Sequence, residues 1–120
     1  MSRRISLGRP TLPPGELKGY EEGGRLICLA HTEGGYRALD DSCNHAGCLL
    51  SGGALERGKG GELLVVCPCH EVGFDVETGR NATSPGICGD QPTFEVELAG
   101  SGELFVRVPD EGEDDGSRGA

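Results

Sequence analysis

The sequence predicts an all-β domain that carries two cysteine-bearing loops. Three observations predict it. Short segments alternate with period two, as in Thr93 to Leu98 (TFEVEL) and Glu103 to Val108 (ELFVRV), which is the pattern of half-buried strands. The 120 residues include 22 Gly and 7 Pro, a composition that favours turns over long helices. No segment sustains the period of an amphipathic helix. There is no internal repeat.

Taken in order, Ser2-Arg3-Arg4-Ile5-Ser6-Leu7 looks like a twin-arginine export start. The following stretch, Gly8 to Gly24, holds Pro10, Pro13, Pro14, Glu16, Lys18, Glu21 and Glu22 and has no apolar core of the kind such a signal needs. The expectation is an unprocessed, cytoplasmic chain. Arg25 to Ala30 (RLICLA) reads as a strand, Thr32 to Gly35 as a turn and Tyr36 to Leu39 as the return strand of a hairpin. His31, at the turn, reads as a surface residue. From Asp40 to Ser51 neither period survives. Leu63 to Val66 (LLVV) is a buried-type strand that runs into Cys67-Pro68-Cys69-His70, and Phe74 to Val76 is a short strand closed by a turn at Thr78-Gly79. Asn81 to Pro92, with Pro85, Gly86 and Gly89, reads as a covering loop. A second hairpin follows, turning at Ala99 to Gly102. The expected division is one domain over residues 1–108 and an acidic, disordered tail over 109–120.

The formal net charge of −9 argues against a nucleic-acid partner, which requires a basic face, and against an anionic membrane surface. It suits a protein partner with a basic docking patch, and it equally serves plain solubility. No run approaches the roughly 20 apolar residues that span a bilayer. With aromatics at 4% and no Trp, the core must be built from Leu, Val and Ile, and a bound metal would add folding free energy to so modest a core.

Two short motifs carry chemistry: Cys43-x-His45 and Cys67-x-x-His70. Each offers one thiolate and one imidazole on a tight turn. Structural zinc prefers cysteines paired on one knuckle and histidines paired on a helix, whereas here each loop mixes the two. Plant-type clusters need cysteines at C-x₄-C-x₂-C spacing, which is absent. The mixed pairing suits a two-iron cluster in which two Cys hold one iron and two His the other. Zinc in the same ligands remains the competing occupant.

Cys43-Asn44-His45-Ala46-Gly47-Cys48-Leu49-Leu50 resembles the first box of the Rieske family, C-x-H-x-G-x-x-L, and Cys67-Pro68-Cys69-His70 with Gly73-Phe74-Asp75 and Thr78-Gly79 is similar to the second box and its following strand. The resemblance covers roughly Leu12 to Val108. It implies the Rieske fold, an antiparallel β-sandwich or barrel base with a small cluster-binding subdomain formed by two loops. It implies one 2Fe–2S cluster per chain, with Cys43 and Cys67 on the buried iron and His45 and His70 on the outer iron. It also implies a disulfide between Cys48 and Cys69, which occupy the positions bridged in Rieske proteins of cytochrome bc complexes; two buried free thiols are the alternative. Pro85 and Gly86 match the place of the proline-bearing loop that shields the cluster in the family.

The sequence departs from the family after the second His. The usual Gly is Glu71, and the Ser and Tyr of high-potential members are Val72 and Phe74. Lost hydroxyl donors and an added carboxylate favour the oxidised cluster, so the expected potential lies in the lower half of a family range of about −150 to +300 mV. Cys28 reads as a small core residue; Cys88 either packs over the cluster or has no role.

The resemblance implies a one-electron carrier rather than an enzyme: a ferredoxin that takes electrons from a reductase and delivers them to a terminal oxygenase. The alternatives are a small Rieske subunit of a larger oxidoreductase, of the nitrite-reductase or respiratory type, and a zinc-binding interaction module.

Overall fold

Strand β3 (Arg25–Thr32) explains the architecture from its own residues. Ile27, Cys28, Leu29 and Ala30 are all fully buried, so the strand is covered on both faces, as a continuous apolar run requires. Alternate side chains enter two different cores. Ile27 and Leu29 pack with Ile5, Leu7, Ala38, Phe94, Leu104, Val106 and Val108. Cys28 and Ala30 pack with Leu39, Leu50, Val65, Cys67, Val72, Phe74 and Val76. The hairpin partner β4 (Gly35–Asp40) splits the same way, Ala38 to one side and Leu39 to the other. The β3–β4 ribbon is therefore the wall between two cores.

The computed structural model describes residues 2–42, 48–69, 71–83 and 89–109. The remaining strands are β1 (Ser2–Ser6), β2 (Leu17–Glu22), β5 (Ala54–Arg57), β6 (Leu63–Val66), β7 (Gly73–Asp75), β8 (Thr93–Leu98) and β9 (Leu104–Pro109), with one 3-10 turn at Leu50–Gly52. Six strands form an antiparallel sheet in the order β1-β9-β8-β4-β3-β2, and three form a second sheet in the order β5-β6-β7. Arg3 donates to the Gly23 carbonyl at 2.6 Å, bringing β1 to the β2–β3 turn, so the large sheet curls toward closure around the first core. The second core fills the space between β3–β4 and the small sheet. This is the sandwich or barrel base with a small subdomain that the family resemblance implies, with the subdomain resting on a sheet of its own.

The expected hairpins are present. Thr32 pairs with Gly35 across the β3–β4 turn, and Leu98 with Leu104 across the β8–β9 turn. Three strands were not read from sequence. β1 offers only Ile5 to a core within SRRIS, and its alternation becomes visible only when Leu7 beyond it is counted. β2 has Gly19 where an inward side chain would stand, leaving Leu17 and Tyr20 as half-buried contacts. β5 is the edge of the small sheet and turns only Leu55 toward the core. His31 is half-buried rather than on the surface: its Nδ1 lies 2.6 Å from the Leu12 carbonyl and its ring stacks on Tyr36 at 4.2 Å. No helix among the described residues is long and apolar enough to cross a membrane.

Candidate metal centre

The first motif loop leaves the large sheet at the end of β4 and is closed at its base. Ser42 and Leu49 form an isolated antiparallel bridge, and the Leu50 N–H donates to the Asp41 carbonyl at 2.8 Å. The Asp41 carboxylate is buried, and both its oxygens are used. Oδ1 accepts the Ser51 backbone N–H at 2.6 Å, and Oδ2 accepts the Ser51 hydroxyl at 2.7 Å. A buried carboxylate needs such donors to offset its lost hydration. Here they join the chain entering the loop to the chain leaving it.

The second motif loop hangs from the small sheet. β6 delivers Cys67, which is fully buried. The Cys67 N–H donates to Val72 and the Glu71 N–H returns to the Cys67 carbonyl, each at 2.9 Å, so Cys67 to Val72 is a closed turn that feeds β7. Glu71 has φ +59° and is the one non-glycine residue with positive φ among those described. That conformation is costly for a residue with a Cβ, and it supplies a physical reason for glycine at this place.

The two loops are tied together. Cys48 and Cys69 form a disulfide with their Cα atoms 6.4 Å apart. The bridge consumes two of the four motif-associated thiols. Of the other two, Cys67 is buried and unbridged, while Cys43 lies outside the described residues together with His45, His70, Pro85, Gly86 and Cys88. Val72 and Phe74 are fully buried in the second core, beneath the turn.

A third segment braces both loops. Gly73 N–H donates to the Thr83 hydroxyl at 2.8 Å, and Phe74 bridges Asn81. The buried side-chain amide of Gln91 donates to the carbonyls of Asp40 and Ser42, at 2.7 Å each. Asp41, Ser51 and Gln91 were not singled out from sequence. Each is a polar residue with no motif around it, and the contacts it makes, with the burial of Asp41 and Gln91, arise only when segments distant in the chain meet.

Comparison with known proteins decides the family: residues 8–95 match the Rieske [2Fe-2S] domain. The chain belongs to the Rieske [2Fe-2S] domain family. It is 37% identical over 93 residues to the ferredoxin component of biphenyl 2,3-dioxygenase from Rhodococcus jostii (strain RHA1), covering 78% of this chain and 81% of that one. Among solved structures it resembles a Mycobacterium tuberculosis protein assigned as the small subunit of an NADH-dependent nitrite reductase, with TM-score 0.79, 18% identity and coverage of 92% and 98%. It also resembles a chain from the complex of reduced oxygenase and oxidised ferredoxin in carbazole 1,9a-dioxygenase, with TM-score 0.73, 26% identity and coverage of 92% and 95%.

The Rieske family's cluster fits the donors present. A buried, unbridged thiol stands at the end of β6, and the disulfide has removed Cys48 and Cys69 from competition for iron. The fully buried Val72 and Phe74 line the inner side of the turn, giving the apolar shell that limits solvent access to such a centre.

Proposed function

We propose that Cys43 and Cys67 hold the buried iron of the 2Fe–2S cluster and His45 and His70 the outer one, and that the chain is the ferredoxin component of a multicomponent oxygenase. The observation that carries this is the joining of the two motif loops by Cys48–Cys69 around a buried thiol at Cys67. When bound, the cluster supplies a one-electron couple whose potential is raised by neutral imidazole ligands. The protein's own residues hold the two loops in register, exclude water on the Val72 and Phe74 side, and leave Leu49, Pro68 and Glu71 exposed near the disulfide as a surface for a redox partner.

The similarity to a dioxygenase ferredoxin at 37% identity supports electron delivery from a reductase to an oxygenase. Likeness to a nitrite reductase small subunit at 18% identity supports the fold and keeps a subunit role as the second reading. We read residues 1–108 as the cluster domain, 109–120 as an acidic tail, and the setting as cytoplasmic. A lasting disulfide is uncommon in that compartment, so alkylation in freshly lysed cells tests the two together. Labelling of both Cys48 and Cys69 there would mean that the bridge forms only outside the cell.

The test of the assignment is anaerobic purification with iron and sulfide analysis and EPR of the reduced protein. The expected result is a red-brown protein with two irons and two sulfides per chain, whose signal disappears in His45→Ala and in His70→Ala. A colourless protein holding zinc would overturn it. Co-purification with a large oxidoreductase subunit would favour the second reading.

A further inference from the structure

We infer that Gln91 is a positioning residue for the metal centre, fixing the start of the first ligand loop through its side-chain amide; this rests on the cluster assignment proposed above. Gln91 is 2% exposed. Both hydrogens of its Nε2 are used, one on the Asp40 carbonyl and one on the Ser42 carbonyl, each at 2.7 Å. These acceptors flank Asp41, whose carboxylate grips Ser51 on the far side of the same loop. The Ser42 carbonyl belongs to the peptide that continues into Cys43, and a peptide unit is planar. Holding that carbonyl therefore holds the plane from which the first thiolate ligand departs.

Gln91 is itself held from the small sheet's side. Its N–H donates to the Gly79 carbonyl at 2.7 Å. Its carbonyl occupies the space where a Cβ on Gly79 would stand, 1.9 Å from that position. The next residue adds a third tie, with the Asp40 N–H donating to the Pro92 carbonyl at 2.9 Å. Gly79 follows β7, while Asp40 ends β4. One residue thus links the turn after the strand leaving the second ligand loop, through its backbone, to the strand entering the first, through its side chain. A hydrophobic side chain of the same length would fill the volume but take these donors away from the Asp40 and Ser42 carbonyls. A shorter amide keeps the donors but cannot reach both acceptors.

The experiment uses the holoprotein and the variants Gln91→Met and Gln91→Asn, with Leu104→Ala as a control that opens the other core far from the loops. Midpoint potential, the EPR line shape of the reduced state, and the rate of iron release to a chelator are measured beside thermal stability. For Gln91→Met the expected result is iron release faster by roughly tenfold or more, a shifted potential and a broadened signal. Gln91→Asn should fall between it and wild type, and Leu104→Ala should lower stability with potential and line shape unchanged. The inference is overturned if the Gln91 variants match Leu104→Ala, losing stability alone. If Gln91→Met fails to fold, Gln91→Asn decides: a wild-type potential and release rate in that variant overturn the inference. A wild-type protein that holds no cluster would instead fail the assignment beneath it.

Discussion

The Glu71 N–H donates to the Cys67 carbonyl across 2.9 Å while Glu71 itself sits at φ +59°. The turn that returns the chain from the buried cysteine thus depends on a left-handed residue bearing a side chain. Glycine enters this region freely, whereas a residue with a Cβ loses about 1–2 kcal/mol. Part of the gain from glycine is offset by its freer unfolded chain. Glu71→Gly is therefore expected to stabilise the protein by about 1 kcal/mol, raising Tm by roughly 4 °C. Glu71→Ala removes the same carboxylate but keeps the strain, so its Tm should stay near wild type. Both variants should raise the midpoint potential, because a negative charge beside the cluster opposes reduction. Equal stabilisation by Ala and Gly would place the strain argument in error and the effect in the charge.

The Cys48–Cys69 bridge closes a sequence separation of 21 residues. In the chain-entropy account a loop of that size stabilises by about 3 kcal/mol, through restriction of the unfolded chain. Urea unfolding of the Cys48→Ser/Cys69→Ser double variant should show a loss of that order. Because the bridge joins the two ligand loops, the variant should also release iron to a chelator faster at urea concentrations well below its unfolding midpoint. Wild-type release rates in the variant would confine the bridge to a role in global stability.

The strands and turns that bound the site were legible because they obey local rules. Leu63–Val66 and Thr93–Leu98 were delimited to the residue, and the turn at Thr78-Gly79 was marked by its glycine. Where legibility failed, the cause was tertiary. Gly19 hides the inward face of β2, and β1 is recruited by its neighbour β9, against which Ile5 pairs with Val106. Asp41 and Gln91 carry no local signal, since a polar residue in a loop is ordinary until a second loop buries it. The disulfide pairing of Cys48 with Cys69 came from family resemblance and is present, whereas spacing alone would not have chosen it.

Gly19 on β2 faces the Asp41–Ser51 pair at contact distance, and a Cβ there would lie 2.5 Å from Ser51 Oγ and 2.8 Å from Asp41 Oδ2. Ser51→Ala deletes one donor to a buried carboxylate and should cost about 1–3 kcal/mol. Gly19→Ala should cost a similar amount by forcing the same hydrogen bond apart. The two effects act on one contact, so the double variant should be less destabilised than the sum of the singles, with a coupling of about 0.5 kcal/mol or more. Chemical denaturation of the four proteins gives the cycle. Strict additivity would mean that the backbone of β2, and not the hydroxyl, absorbs the added methyl.

Cys28 provides a pH test of the second core. Burial pushes its thiol pKa well above the usual value of 9.0, and the nearby Asp41 charge adds to the shift. The sign follows from which state ionises more easily. Below the unfolded pKa both states carry the neutral thiol, and the contribution to stability is fully present. As pH rises past it, the unfolded chain releases its proton while the folded one does not, so stability is lost with a slope of about 1.4 kcal/mol per pH unit. Between pH 7 and pH 10 the wild type should therefore lose about 1.4 kcal/mol more than Cys28→Ala, although the variant begins lower because of the cavity it leaves. Urea denaturation of both proteins at the two pH values measures the difference. Parallel losses would show that Cys28 ionises as readily in the folded core as in the unfolded chain.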